Sequence, residues 1–160
     1  MRVAVVGLGG VGGYIAANFV KAGVDVVGFA RGRHLDAIRS HGLQVEEDDA
    51  CWSVKIDTRE EDDLDGYFEG SFDVVLFCVK SYDLHDAYEH IRSHIDEKTT
   101  LVSFSNGVNN GETLRSLSSS LVLDGCVYIL SHVEKPGVIR RKGKNFAAVF
   151  GGEIEATQKL

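Results

Sequence analysis

Proline is nearly absent: one residue, Pro136, stands against 18 glycines in a chain of 160. So skewed a ratio implies regular elements throughout, with glycine set where the backbone must bend or approach something closely. Cysteine is also scarce. Cys51, Cys78 and Cys126 are an odd number at wide spacings and form no CxxC pair. That excludes a disulfide framework or a zinc knuckle, and a reducing cytoplasm is the expected compartment. Positive charge is in deficit, with 17 Lys and Arg against 24 Asp and Glu for a formal net charge of -7. Such a balance disfavours a general binder of nucleic acid or of anionic membranes, since phosphate recognition needs a positive surface. Long apolar runs are missing too. The segment from Val3 to Val20 carries no charge, but Gly7, Gly9, Gly10, Gly12 and Gly13 break it. Neither a membrane span nor a targeting segment is read there, and a soluble protein is expected.

What remains is an ordinary globular composition, 44% hydrophobic and 26% charged, arranged as an alternation of strands and helices. Arg2–Val6 is a continuous run rich in valine, as in a strand buried on both faces. A helix follows over Val11–Ala22, with Ile15, Ala16, Phe19 and Val20 on one stripe and Gly23 placed to cap it. Further strands are expected at Asp25–Phe29, twice within Leu43–Asp57 about a Glu46–Asp49 turn, at Asp73–Val79 and at Leu101–Phe104. Helices are expected at His34–His41, Leu84–Ile95 and Gly111–Ser118. Beyond these, Leu121–Val133 and Val138–Phe150 read as two long strands joined by a type II turn at Lys135-Pro136-Gly137. The pattern predicts an α/β fold: a doubly wound, mainly parallel sheet with a C-terminal strand ribbon. The acidic run Glu60–Asp63 reads as a solvated loop rather than a metal site.

The most informative motif is Gly7-Leu8-Gly9-Gly10-Val11-Gly12. It follows a buried strand and opens a helix, the context in which GxGxxG signals a dinucleotide site. Gly7 permits a tight turn, Gly9 lets the backbone approach a pyrophosphate, and Gly12 lets the helix pack closely. The free amides and positive dipole end of the helix then face the phosphates. An NAD site normally places an acid near the end of the second strand to bind the ribose 2′-hydroxyl. Here the chain reads Gly28-Phe-Ala-Arg31-Gly-Arg33, and a guanidinium suits a 2′-phosphate. NADP is therefore favoured over NAD, with Arg31 nearer the strand end than Arg33.

Lys80 follows the strand ending at Val79, and Asn106-Gly107 follows the strand ending at Phe104. Both should face the crevice where such sheets bind ligands. By position alone each reads equally well as a solvent-facing lysine and an Asn-Gly turn. His85, His90 and His94 share a predicted helix without the HExxH order of a zinc site. Ser103 and Ser105 lack a nucleophile-elbow sequence, and Cys78 reads as core packing.

Taken together, the glycine motif at the N-terminus, Arg31, Val79-Lys80, Ser105-Asn-Gly-Val108 and Ser131–Val138 resemble the N-terminal domain of ketopantoate reductases (2-dehydropantoate 2-reductases). The resemblance spans essentially the whole chain and implies a Rossmann-like fold. It implies NADPH as cofactor and reduction of ketopantoate to pantoate, a step toward pantothenate. It further implies that Gly7, Leu8, Gly9, Gly10, Val11 and Gly12 hold the pyrophosphate and Arg31 the 2′-phosphate. Lys80 would contact the cofactor, Asn106 both nicotinamide ribose and substrate, and Val133 the nicotinamide region through its backbone. Family members run to roughly double this length, with a helical second domain that supplies a lysine general acid. By that resemblance residues 1–150 are the NADP-binding domain and 151–160 the start of a linker, with no catalytic residue in this chain. The expected fragment binds NADPH without turning over its 2-oxo acid, and its exposed apolar surface could promote a homodimer. Two other readings are another NAD(P)-dependent 2-oxo acid dehydrogenase and a nucleotide-sensing regulatory module. Arg31 and the Asn106-Gly107 pair count against the second.

Overall fold

The computed structural model describes residues 1–60 and 69–151. Most of the acidic run and everything from residue 152 onward lie outside the described residues. Strand β1 (Arg2–Val6) is buried as its sequence requires, with Val3 and Val5 on one side of the sheet and Ala4 and Val6 on the other. It pairs in parallel with β2 (Asp25–Phe29) and with β6 (Val74–Phe77). With β5 (Asp57–Arg59), β7 (Thr100–Ser103), β8 (Leu121–Tyr128) and β11 (Ala147–Gly151), they form a seven-stranded sheet in the order β11-β8-β7-β6-β1-β2-β5. All pairs are parallel except β11 with β8. This is the doubly wound, Rossmann-like order, bounded on one side by an antiparallel strand.

Helix α1 (Gly10–Lys21) covers one face of the sheet. Its end matches the expected cap. Gly23 has φ +82, its amide donates to the Val20 carbonyl at 3.0 Å, and the Val24 amide donates to Phe19 at 3.0 Å, a Schellman arrangement. Helix α2 (Gly32–His41) follows β2, while α3 (Leu84–Ile91) and α4 (Asn110–Leu117) cover the opposite face through Leu84, Ala87, Ile91 and Leu114. The helix expected to reach Ile95 tightens after Ile91 into a 3₁₀ turn, Arg92–His94. Among the described residues no helix is long and apolar enough to cross a membrane.

The C-terminal ribbon differs from expectation. Each of its two predicted long strands breaks, and the halves join different sheets. β8 and β11 extend the main sheet, whereas β9 (Ser131–Lys135) and β10 (Val138–Arg141) pair with β3 (Leu43–Glu46) and β4 (Cys51–Val54) in a second sheet, β4-β3-β10-β9. This second sheet packs on the side of α1 away from the first. Leu43, Val45 and Ile139 share a core with Ile15, Ala16 and Ala17. That explains why α1 is apolar nearly all round rather than along one stripe. Between α1 and the outer strands of the main sheet runs an apolar groove of about 330 Å³, lined by Ile15, Phe19, Leu76, Phe104, Phe146 and Phe150 among others.

A carboxylate fastens the second sheet to α1. Glu47, just beyond β3, receives the Tyr14 hydroxyl at 3.1 Å and the Trp52 indole N–H at 3.1 Å, and it ion-pairs with Arg141 of β10. The Arg141 guanidinium also lies over the Tyr14 ring, 5.3 Å from its centroid. Burial alone would raise the Glu47 carboxyl, but the hydrogen bonds from Trp52, Arg141 and Tyr14, with the Arg141 charge, bring it below its ordinary value. A carboxyl depressed on folding contributes stability above its unfolded value that is lost as pH falls through its folded one. Glu47→Gln is expected to lower unfolding free energy by about 1–3 kcal/mol near neutrality. The difference from wild type should shrink as pH drops below the ordinary glutamate value of 4.5, which urea unfolding at stepped pH would measure.

Candidate cofactor site

Strands β1 and β6 lie side by side, yet the chain leaves them toward opposite faces, to α1 and to α3. A crevice opens at the carboxyl ends of strands where the connections diverge in this way. A pocket of about 260 Å³ lies there, lined by Gly7, Leu8, Gly9, Phe29, Ala30, Arg31, His34, Val79 and Val133.

Each glycine of the loop has its own geometry. Gly7 turns at φ +95, and its amide and that of Leu8 both donate to the Phe29 carbonyl, at 3.1 and 3.0 Å. A Cβ on Gly12 would stand 2.1 Å from the Gly7 carbonyl oxygen and 2.8 Å from Cys78 Cβ. The helix therefore starts flush against its own loop. A Cβ on Gly10 would meet the Ser131 carbonyl oxygen at 2.5 Å, so the missing side chain here serves contact with β9, and Gly10 can face a ligand only through its amide. Gly9 alone among the motif's three spaced glycines has nothing within 4 Å of where its Cβ would be. The space beside it is open. The amides of Gly9, Gly10, Val11 and Gly12 precede the first intrahelical bond, Gly13 to the Gly9 carbonyl at 2.7 Å. No carbonyl of α1 is therefore available to them. An open cradle before free helix amides suits a pyrophosphate. Leu8, by contrast, turns its side chain into the core at 1% exposure, so it can face a ligand only through its backbone.

Arg31 occupies the cap position of α2 with 68% of its side chain exposed. Its guanidinium reaches across the crevice to Asp83, 3.6 Å away, in the 3₁₀ turn Ser81–Asp83 after β6. Such an exposed pair contributes only ~0–1 kcal/mol and exchanges readily for a stronger anion. The first turn of α2 holds Arg33 and His34 and no acid. The Arg33 cation there opposes the helix dipole, a cost that an anion at the same place offsets.

Lys80 and Asn106 are both exposed, on the loops after β6 and β7, outside the pocket lining. These loops are tied together. The Ser105 hydroxyl donates to the Val79 carbonyl at 2.6 Å, and the buried Asn110 amide donates to the carbonyls of Ser105 at 2.9 Å and Gly107 at 3.2 Å. Gly107 has φ +136, a backbone conformation that residues with side chains rarely adopt. Val133 on β9 lines the pocket opposite the glycine loop, carried there by the second sheet. The structure thus gathers Gly7, Leu8, Gly9, Arg31 and Val133 in one pocket and sets Lys80 and Asn106 beside it. Sequence reasoning missed Asp83 and His34, whose partners lie far away along the chain, and Asn110, which bonds the carbonyls of its own loop. Desolvation pushes the Cys78 thiol up to about 12, which leaves it protonated and unreactive.

The family described as ketopantoate reductase PanE/ApbA matches residues 3–153. An uncharacterized oxidoreductase, YkpB of Bacillus subtilis (strain 168), is 29% identical over 152 residues, covering 94% of this chain and 48% of the relative. A 2-dehydropantoate 2-reductase of Pyrococcus horikoshii is 26% identical over 153 residues, 93% of this chain and 47% of that protein. The crystal structure of a PanE/ApbA family ketopantoate reductase from Ralstonia eutropha JMP134 superposes with a TM-score of 0.83 at 32% identity, covering 92% of this chain and 49% of that one. The chain spans about half the length of the curated relatives it matches.

The contrast between two glycines is directly testable. Gly9→Ala should leave the melting temperature within about 2 °C of wild type, because the added methyl meets nothing. Gly12→Ala forces a carbon into the Gly7 carbonyl and should cost about 3 kcal/mol or more, read by thermal or urea unfolding.

Proposed function

The chain belongs to the PanE/ApbA ketopantoate reductase family, and from that premise we propose that its crevice binds NADPH for reduction of 2-dehydropantoate to pantoate, a step toward pantothenate. The open space at Gly9, before helix amides that no carbonyl of α1 reaches and with Arg31 across the way, is the observation that carries the reading. Residues 1–150 act as the cofactor-binding domain of a cytoplasmic enzyme.

In this reading the amides that open α1 bind the pyrophosphate, and the absence of a side chain at Gly9 allows the close approach. Arg31 exchanges Asp83 for the 2′-phosphate, gaining a charge-assisted, bidentate contact in place of a weak exposed pair. Val79 and Val133 supply apolar walls. Lys80 adds a cation near the cofactor, and the Asn106 amide, steadied through Asn110, offers a donor and an acceptor to ribose and substrate. When bound, NADPH supplies the hydride. The alkoxide then formed on the substrate needs a proton donor placed against it. We assign that donor to a part of the protein outside this chain, so the 160-residue chain binds cofactor without turning over ketopantoate.

Fluorescence titration with NADPH and NADH tests the reading. Wild type should prefer NADPH by roughly tenfold or more, and Arg31→Ala should remove the preference while leaving NADH affinity nearly unchanged. Gly9→Ala should weaken both dinucleotides while the protein stays folded. Equal binding of the two by wild type overturns the NADP assignment, and binding of neither overturns the site.

A further inference from the structure

His34 joins two segments that meet across the pocket. Its imidazole is half-buried in the first turn of α2. Nδ1 accepts the Gly137 amide at 3.0 Å, in the turn between β9 and β10. Nε2 lies 2.8 Å from the Leu8 carbonyl oxygen, inside the glycine loop. A backbone amide can only donate, so Nδ1 is the bare nitrogen. The neutral ring then carries its proton on Nε2 and donates it to Leu8. The other tautomer would oppose two donors at Gly137 and two acceptors at Leu8.

The Leu8–Gly9 peptide is trans and planar, so its C=O and N–H point to opposite sides. Holding the carbonyl on His34 therefore fixes the direction of the Gly9 amide, the first of the amides that open α1. Gly9 has no side chain to restrict this peptide by packing. We infer that His34 is a positioning residue for the pyrophosphate: it sets the Leu8–Gly9 peptide and couples it to the β9–β10 turn, whose strand carries Val133 on the opposite wall. The inference rests on the dinucleotide reading above, and it differs from the role of Arg31 in one measurable way. The pyrophosphate is common to NADPH and NADH, so His34 acts on both equally.

The test uses His34→Ala, His34→Gln and His34→Asn in the full chain. Glutamine can extend an amide N–H toward Leu8 but loses the acceptor for Gly137, whereas asparagine keeps an acceptor near Gly137 and loses the donor to Leu8. Loss of one such hydrogen bond should weaken NADPH and NADH alike by about five- to tenfold in the Ala and Asn variants, with Gln within about twofold of wild type. Two measurements need no ligand. Long-range ¹H–¹⁵N spectra should show the Nε2–H tautomer, and exchange of the Gly137 amide should quicken at least about tenfold in His34→Ala. If wild type binds a dinucleotide and His34→Ala matches it, or loses NADPH affinity alone, the inference fails while the dinucleotide reading stands. Equal losses in Gln and Asn overturn it as well, even if the Ala variant does not fold. Binding of neither dinucleotide by wild type removes both.

Discussion

The architecture turns on the slot that holds α1. A helix of ordinary width fits between the two sheets because several of its inner positions carry little or no side chain. Gly10 touches β9, Gly12 its own loop and Gly13 the Ile139 side chain, while Ala16 and Ala17 are buried beside Tyr14 and Ile15. Interiors pack at crystal-like density, so even one extra methyl must displace backbone at Gly12. The same tightness gives the site its rigidity. The amides at the start of α1 are held in place because the helix beneath them cannot shift, and Gly9, the one glycine of the loop motif released from packing, marks where space was kept.

Charge follows a similar logic of local exception. The chain as a whole is acidic, yet the pocket is bordered by Arg31, with Arg33 close by in the first turn of α2. Asp83 partly neutralises Arg31 across the crevice. The guanidinium is thereby kept over the opening when no anion is present, at a low cost of release. Asp83 sits on the connection from β6 and Arg31 on that from β2, so both sides of the strand-order reversal contribute to one feature.

Much of this could be read along the chain. β1 and β2 begin and end where their apolar runs do, and the Gly23 cap ends α1 as its placement suggests. These are local signals, carried by burial on both faces and by left-handed glycine. The division of the terminal ribbon could not be read this way. Nothing in the apolar content of Leu121–Val133 says that the chain changes sheet near Ile129, because a strand's pattern records its burial and not its partner. Helix α1 did hold a clue, since a helix apolar on all sides needs a cover on both. Gly9 was legible by its spacing after the first strand, and Arg31 by its place at the end of the second. His34 was not, as one of its two partners is 103 residues away and a single histidine on a helix carries no signature of a bracket.

The double crossing of the ribbon has a mechanical meaning. Between β8 and β9 the chain passes from one layer to the other, and between β10 and β11 it passes back, with the Lys142 amide bonded to the Leu130 carbonyl at 2.9 Å where the two passages meet. The ribbon thus works as a rivet driven through both layers and clinched on each side. Neither layer can peel from α1 by itself, so the wall bearing Val133 and the floor bearing the glycine loop must loosen together or stay put together.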